Sequence, residues 1–146
     1  MKLSTKGRYG ARAVLELALR YGKGPVMVKE IAESQDISER YLEHILNSLR
    51  ISGLVKSTRG AHGGYELAKP PAHITLGEVI RSLEGPVEIV ACTEDKVCTR
   101  RQLCVTHRIW CEVRSAVENV IDSISLANMA ERHELLHRDA MNEYII

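Results

Sequence analysis

Four side chains with the character of metal ligands lie in one short segment of the sequence. Five residues separate Cys92 from Cys98, five more separate Cys98 from Cys104, and His107 follows after two. Thiolates and an imidazole together bind soft or borderline metals and iron-sulfur clusters. Structural zinc sites usually pair their ligands with two to four intervening residues, so the wider spacing favours a cluster over a single zinc ion. The sequence therefore predicts a metal centre held by these four residues.

Cys111 is a competing candidate for the fourth ligand position. It follows His107 by four residues, which places both side chains on one face of a helix. The alternative interpretation of Cys111 is a buried apolar cysteine, and that of His107 is a surface histidine at a helix start. Outside this segment, four histidines are interpreted as ordinary polar residues: His62, His73, His133 and His137.

The elements before this segment follow the order of a known DNA-binding architecture. Apolar periodicity and capping residues predict three helices, beginning after Ser4 or Thr5, near Val28 and after Ser38. The period then changes to that of a strand over residues 54–58, a Gly-rich turn and a returning strand over residues 65–68. Helix, short helix, turn, helix and hairpin is the order of a winged helix-turn-helix.

The second half of the chain is predicted to be helical on either side of the cysteine segment. Thr75 and Glu78 form a capping box for a fourth helix that ends at Gly85. Thr106 is predicted to cap a long helix, and Ser125 a short one that is followed by a polar tail. The long helix carries an apolar stripe suited to a partner helix: Ile109, Val113, Val117, Val120 and Ile124.

The polar face of the third helix is the predicted DNA-reading surface. In a winged helix this helix enters the major groove, where Arg, His and Asn side chains bond base edges and Ser or Tyr side chains contact phosphates. A glutamate accepts from cytosine and repels a misplaced backbone. The Gly-rich wing suits a narrow minor groove. The predicted DNA-binding residues are Lys6, Arg8, Ser38, Arg40, Tyr41, Glu43, His44, Asn47, Arg59 and Gly60.

Charge and composition support duplex DNA as the partner. Residues 1–72 carry twelve Lys and Arg against seven Asp and Glu, whereas residues 73–146 carry eight against twelve. Such asymmetry suggests a DNA-facing head and a tail that faces something else. Aromatic residues make up only 4% of the chain and Phe is absent, which disfavours base stacking and hence single-strand or RNA binding.

The sequence also predicts where the protein works. Charged residues interrupt the first twenty positions, and no apolar run is long enough to span a bilayer, so we expect a cytoplasmic protein without a membrane partner. In the cytosol four cysteines stay reduced and are more plausible as ligands or redox groups than as disulfides.

The sequence leaves three alternative classes of function. The first is a winged-helix regulator without a cluster, in which the cysteines hold a structural zinc ion or are oxidised to disulfides. The second is an enzyme, which the sequence disfavours because it shows no nucleophile-base pair, phosphate-binding glycine loop or paired carboxylates, so no small-molecule substrate is expected. The third is an adaptor whose head binds a protein instead of DNA.

Several segments resemble one bacterial family. They are residues 1–9, the run from Ile37 to Glu43, the wing motif from Arg59 to Tyr65, and the run from Cys104 to His107 before Trp110. In these residues the chain resembles the IscR-like iron-sulfur cluster regulators, a group of winged-helix repressors. The resemblance covers nearly the whole chain and ends at about Glu131.

The resemblance implies a more specific function. It implies a homodimer joined through the long C-terminal helix and control of iron-sulfur biogenesis or stress genes. It also implies a cluster on Cys92, Cys98, Cys104 and His107. The histidine favours the 2Fe-2S type over 4Fe-4S. The chain then divides into a winged helix-turn-helix head (1–84), a cluster-binding loop (85–107), and a dimerisation helix with its tail (108–146).

Overall fold

The computed structural model describes residues 2–93 and 98–145. Over these residues the chain forms six α-helices and one antiparallel hairpin, with single-turn 3-10 helices at Pro71–His73 and Ala91–Thr93. The helices are α1 (Thr5–Leu19), α2 (Val28–Gln35), α3 (Glu39–Ile51), α4 (Leu76–Glu84), α5 (Val105–Ser123) and α6 (Leu126–Tyr144). The strands are β1 (Val55–Thr58) and β2 (Gly64–Leu67). The predicted class, mainly α with a small hairpin wing, is confirmed.

Local capping explains where most of these helices begin. The Ser4 hydroxyl accepts from the Gly7 amide at 3.2 Å, and the Ser38 hydroxyl accepts from the Tyr41 amide at 3.2 Å. Thr75 and Glu78 form the predicted reciprocal box at the start of α4. Each cap satisfies an amide that has no partner within its own helix.

Two predictions about the C-terminal helices are wrong. The N-cap of α5 is Cys104 rather than Thr106, because the chain already turns helical at Val105. The helix after Ser125 is not short: it runs for 19 residues and includes the segment predicted as a polar tail. Residues 131–144 are rich in Glu, Arg, Leu, Ala and Met and contain no Gly or Pro, so their polarity does not interrupt the helix.

The main core lies between α1, α3, α4 and the hairpin. The apolar stripe of α3 is completely buried, and it comprises Leu42, Ile45, Leu46 and Leu49. Gly10 lets α1 and α4 approach closely, since a Cβ there would lie 2.1 Å from the Leu83 side chain. Leu126, at the start of α6, is fully buried in the same cluster. Burying this stripe leaves the opposite face of α3 exposed.

The end of α5 is joined to the head through backbone and side-chain contacts. The Leu76 amide donates to the Ile124 carbonyl at 2.8 Å, and the Leu126 amide donates to the Ile74 carbonyl at 2.9 Å. An Arg81 amino group lies 2.5 Å from the Asp122 carboxylate. The division into head, loop and dimerisation segment stays a prediction, and these contacts show that the last segment is attached to the head.

The hairpin forms the wing, with bounds one residue from those predicted. Val55 pairs with Leu67 and Thr58 with Gly64. Val26 adds a bridge to Tyr65, whose amide and carbonyl both bond Val26 at 2.8 Å. Gly64 is required for this approach, because a Cβ there would lie 2.2 Å from the Val26 carbonyl oxygen. The bridge fixes the wing to the chain before α2.

Across the described residues, none of the helices is both long enough and apolar enough to cross a membrane.

Candidate functional site

The exposed face of α3 brings together the side chains that were predicted to read DNA. Four of them are exposed, namely Arg40, Glu43, His44 and Asn47. The Arg50 guanidinium donates to the Asn47 amide oxygen at 2.8 Å, so the Asn47 amide NH₂ is left to donate outward. Ser38, Arg40, Tyr41 and His44 line a shallow depression at the start of the helix. This arrangement can present donors and acceptors to base edges and phosphates.

Tyr41 is held by aromatic packing between two helices. Its ring meets the ring of Tyr9 edge to face, with centroids 5.9 Å apart. The Arg12 guanidinium lies over the Tyr9 ring, 5.3 Å from its centroid, and also donates to the Gln35 side chain at the end of α2. Tyr9 therefore positions Tyr41, a role that the helical spacing of Tyr9 alone did not reveal.

The remaining predicted DNA contacts lie on α1 and in the wing. Lys6 is half-buried and Arg8 is exposed, and the Arg8 guanidinium donates to the Thr5 hydroxyl at 3.2 Å. Arg59 and Gly60 are exposed at the end of β1. Gly60 has a φ of 116°, which favours glycine, and its carbonyl accepts from Gly63 to close the turn. The basic side chains are thus available on elements next to α3.

The four predicted metal ligands lie on either side of residues 94–97, which are outside the described residues. Cys92 lies in the 3-10 turn Ala91–Thr93, Cys98 follows the gap, and Cys104 and His107 belong to the start of α5. All four cysteines are half-buried and free. In the part of the chain that the structure describes, no three candidate ligand side chains are gathered in an ion-sized group. The ligand set therefore stays a prediction.

The surroundings of the Cys104 thiol favour its charged form. Its sulfur lies 3.2 Å from the Thr106 hydroxyl. This hydrogen bond and one from the His107 backbone lower the pKa of the Cys104 thiol, and the nearby Arg100 adds a smaller effect in the same direction. Hydrogen bonds to a thiolate stabilise it relative to the neutral thiol. Thiolate is the form in which cysteine binds metal.

His107 and Cys111 are in contact, as their spacing predicted. The His107 Nε2 atom lies 3.5 Å from the Cys111 sulfur. The Nδ1 atom of the same ring is buried and has no hydrogen-bond partner among the described residues. A buried polar nitrogen without a partner is uncommon, because its desolvation is not compensated. The Nδ1 side of the ring is therefore the side on which this histidine has an unsatisfied polar atom.

Arg114 is a site residue that sequence reasoning missed. Its guanidinium donates to the Thr93 carbonyl at 3.3 Å and to the Glu118 carboxylate at 3.2 Å. It therefore ties the turn that carries Cys92 to the middle of α5. Thr93 lies 21 residues away along the chain. No local spacing could have revealed the bond.

The fold and these surfaces define a winged-helix DNA-binding transcriptional regulator. The chain belongs to the Rrf2 family, described as iron-dependent transcriptional regulators, whose sequence profile matches residues 3–132. This is a family of transcriptional regulators and not one of enzymes.

Individual relatives are similar over most of their length. The HTH-type transcriptional regulator CymR of Bacillus subtilis is 47% identical over 130 residues, which span 89% of this chain and 90% of CymR. The solved structure of CymR, titled the global cysteine regulator of B. subtilis, has a TM-score of 0.74 at 44% identity and covers 90% of this chain and 98% of its own. That of T. potens IscR has a TM-score of 0.75 at 44% identity and covers 91% and 88%. The chain is thus similar to regulators of both names.

Proposed function

We propose that this protein is a cytoplasmic, homodimeric repressor whose affinity for duplex DNA depends on an iron-sulfur cluster. Cys92, Cys98, Cys104 and His107 would hold the cluster, and 2Fe-2S is favoured over 4Fe-4S. The observation that carries the proposal is the orphaned His107 Nδ1 beside a segment with three thiols. The similarity to IscR supports it. Iron-sulfur biogenesis or stress genes are the proposed targets.

DNA binding in this proposal follows from the exposed surfaces of the head. Arg40, His44 and Asn47 bond base edges, and Glu43 discriminates against sites without a matching donor. Ser38, Tyr41, Lys6 and Arg8 contact phosphates, and Arg59 enters the minor groove beside Gly60. A dimer would place two such heads on a roughly palindromic operator.

The coupling between the two sites runs through contacts that the chain itself makes. The cluster would be the group that responds to the signal, because it can be oxidised, reduced or lost. Arg114 ties the turn of Cys92 to α5, and the Arg81–Asp122 ion pair ties α5 to α4. A shift of the turn would therefore be transmitted through α5 to α4 in the head, and in a dimer it would change the spacing of the two α3 helices.

The test is to purify the protein anaerobically, record its visible absorption and circular dichroism, and measure its iron, sulfide and zinc contents. We expect two irons and two sulfides per chain. The spectrum should change in His107→Ala but not in Cys111→Ala or the exposed control His73→Ala. DNA affinity should then differ between loaded and cluster-free protein at one salt concentration. Colourless protein after anaerobic reconstitution, or equal affinities, would overturn the proposal.

One contact favours a second candidate, a thiol-redox regulator without a cluster. The Cys111 thiol lies against the His107 imidazole, an arrangement that suits a reactive thiol. The similarity to CymR, titled a global cysteine regulator, supports this alternative. It predicts colourless protein whose DNA affinity changes on treatment with a disulfide-forming oxidant, and loss of that response in Cys111→Ser.

A further inference from the structure

The exposed surface of α6 carries a pair of histidines that the function proposed above does not use. Residues 133–137 have the sequence His-Glu-Leu-Leu-His. On a helix, two histidines four residues apart lie on one face and can bind one metal ion together. The match to the family profile ends at residue 132, just before this segment.

The two imidazole rings are stacked on each other in the structure. The His133 and His137 ring centroids are 3.9 Å apart, with planes inclined by 29°. Zinc binds imidazole nitrogen at about 2.0–2.1 Å, and to hold one ion together the two stacked rings would turn until one nitrogen of each faces it. His133 is half-buried and His137 is exposed, so the outer side of the pair is open to solvent ions.

A backbone contact prepares His137 for this role. Its Nδ1 atom lies 2.9 Å from the His133 carbonyl oxygen. Because a carbonyl can only accept, Nδ1 must carry the proton in this bond, and the neutral ring then has its lone pair on Nε2. Metal-binding histidines commonly have their second ring nitrogen fixed by such a bond.

We propose that His133 and His137 form a binding site for one divalent ion of the zinc, nickel or copper group. Imidazole suits these metals. Across residues 2–93 and 98–145 no three ligand side chains are gathered, whereas catalytic zinc has three protein ligands. The site is therefore a two-histidine site completed by water, and Glu134 is assigned no catalytic role, although a glutamate follows the first histidine in the His-Glu-x-x-His motif of zinc peptidases.

Metal binding would stabilise the outer part of α6. The helix packs on the core through Leu126, Met129 and Ala130, and nearly all residues from Glu131 onward are exposed. An ion held by His133 and His137 would join two successive turns just beyond the packed part. A ligand that binds only the folded form stabilises it by mass action.

The first test is zinc binding to the full-length protein. Zinc is titrated into ¹⁵N-labelled chain, and long-range ¹H–¹⁵N spectra report each imidazole nitrogen. We expect the Nε2 signals of His133 and His137 to move together. Equilibrium dialysis should show one zinc fewer per chain in His133→Ala and in His137→Ala, and no change in the matched controls His62→Ala and His73→Ala. Unmoved signals of the pair, or equal zinc contents in all five proteins, would overturn the proposal.

The second test is hydrogen exchange of the α6 amides. This measurement reports on α6 alone, so zinc bound by the cysteines does not affect its interpretation. The free zinc concentration is set to ten times the dissociation constant of the site. Amides near residues 134–141 that exchange only when the site opens should then exchange about elevenfold more slowly. His137→Ala should abolish this protection while its helix content stays that of the wild type. Equal protection in wild type and His137→Ala would contradict a site on these two rings.

Discussion

At the scale of single residues, Tyr41 combines a packing contact with a proposed contact to DNA. Its ring packs against Tyr9, whereas its hydroxyl belongs to the predicted phosphate contacts. Tyr41→Phe should leave the free energy of unfolding unchanged within about 0.5 kcal/mol. It should weaken DNA binding by roughly ten- to a hundredfold, since hydrogen bonds to charged groups contribute about 1.5–3 kcal/mol.

The measurement for Tyr41 uses a duplex selected by the wild type from a random pool, together with thermal unfolding. Tyr41→Ala is the matched comparison, because it also removes the edge-to-face contact, worth about 0.5–1.5 kcal/mol beyond the buried area. If Tyr41→Phe binds this duplex as tightly as the wild type does, the Tyr41 hydroxyl does not contact DNA.

Cys104 provides a pH-dependent prediction at the same scale. Because its pKa is lowered, first by the Thr106 hydroxyl, the metal-free chain holds more thiolate below the ordinary thiol pKa. Alkylation of Cys104 by iodoacetamide, followed by peptide mass spectrometry, should therefore persist to lower pH than alkylation of N-acetylcysteine. Thr106→Val should move the profile up toward that reference. Identical profiles for wild type and Thr106→Val would exclude the hydroxyl as the main cause.

At the scale of elements, the sequence predicts what local chemistry determines. The starts of α1, α3, α4 and α6 follow from caps within three residues of the helix they begin. The contact between His107 and Cys111 follows from helical spacing. The Arg114–Thr93 and Leu76–Ile124 hydrogen bonds join segments that are far apart in the sequence. The periodicity of the sequence therefore cannot predict them. The length of α6 differs from the prediction because polar residues with good helix propensity continue a helix instead of ending it.

Arg114 supports a prediction about how the cysteine segment is attached to α5. Arg114→Ala should speed hydrogen exchange in peptides around Thr93 while exchange in α1 and α3 stays unchanged. Arg114→Lys should not restore protection, because an ammonium lacks the planar fork that bonds Thr93 and Glu118 together. Exchange around Thr93 that is as slow in Arg114→Ala as in the wild type would show that this bond does not hold the turn.

The wing supports a prediction about stability. Gly64→Ala should lower the free energy of unfolding by about 1–3 kcal/mol, because its Cβ would meet the Val26 carbonyl and its φ of 154° is strained for alanine. His62→Ala is the matched control, since this side chain is exposed in the same turn. Urea unfolding of both variants measures the difference. If Gly64→Ala is as stable as the control, the wing backbone can move away from the added Cβ without lowering the free energy of unfolding.

At the scale of the whole molecule, α5 packs Val117 and Ile121 against the head but leaves a second set of apolar side chains exposed. Ile109, Val113 and Val120 are 44%, 39% and 58% exposed, and Trp110 on the same helix is 37% exposed. Clustered exposed apolar residues mark an interaction surface. The resemblance to dimeric regulators and the stripe itself point to a second copy of this chain.

Val113→Glu tests this proposed dimer and its link to DNA binding. A buried, unpaired carboxylate at the helix pair would oppose association, so sedimentation should show monomers where the wild type sediments as a dimer. Affinity for a two-half-site operator should fall steeply, whereas affinity for one half-site should change little, because α3 and the wing are untouched. Ser115→Glu is the matched control: it adds the same charge two residues along, about 200° around the helix. A dimeric Val113→Glu protein, or equal dissociation of both variants, would show that this stripe is not where the two copies meet.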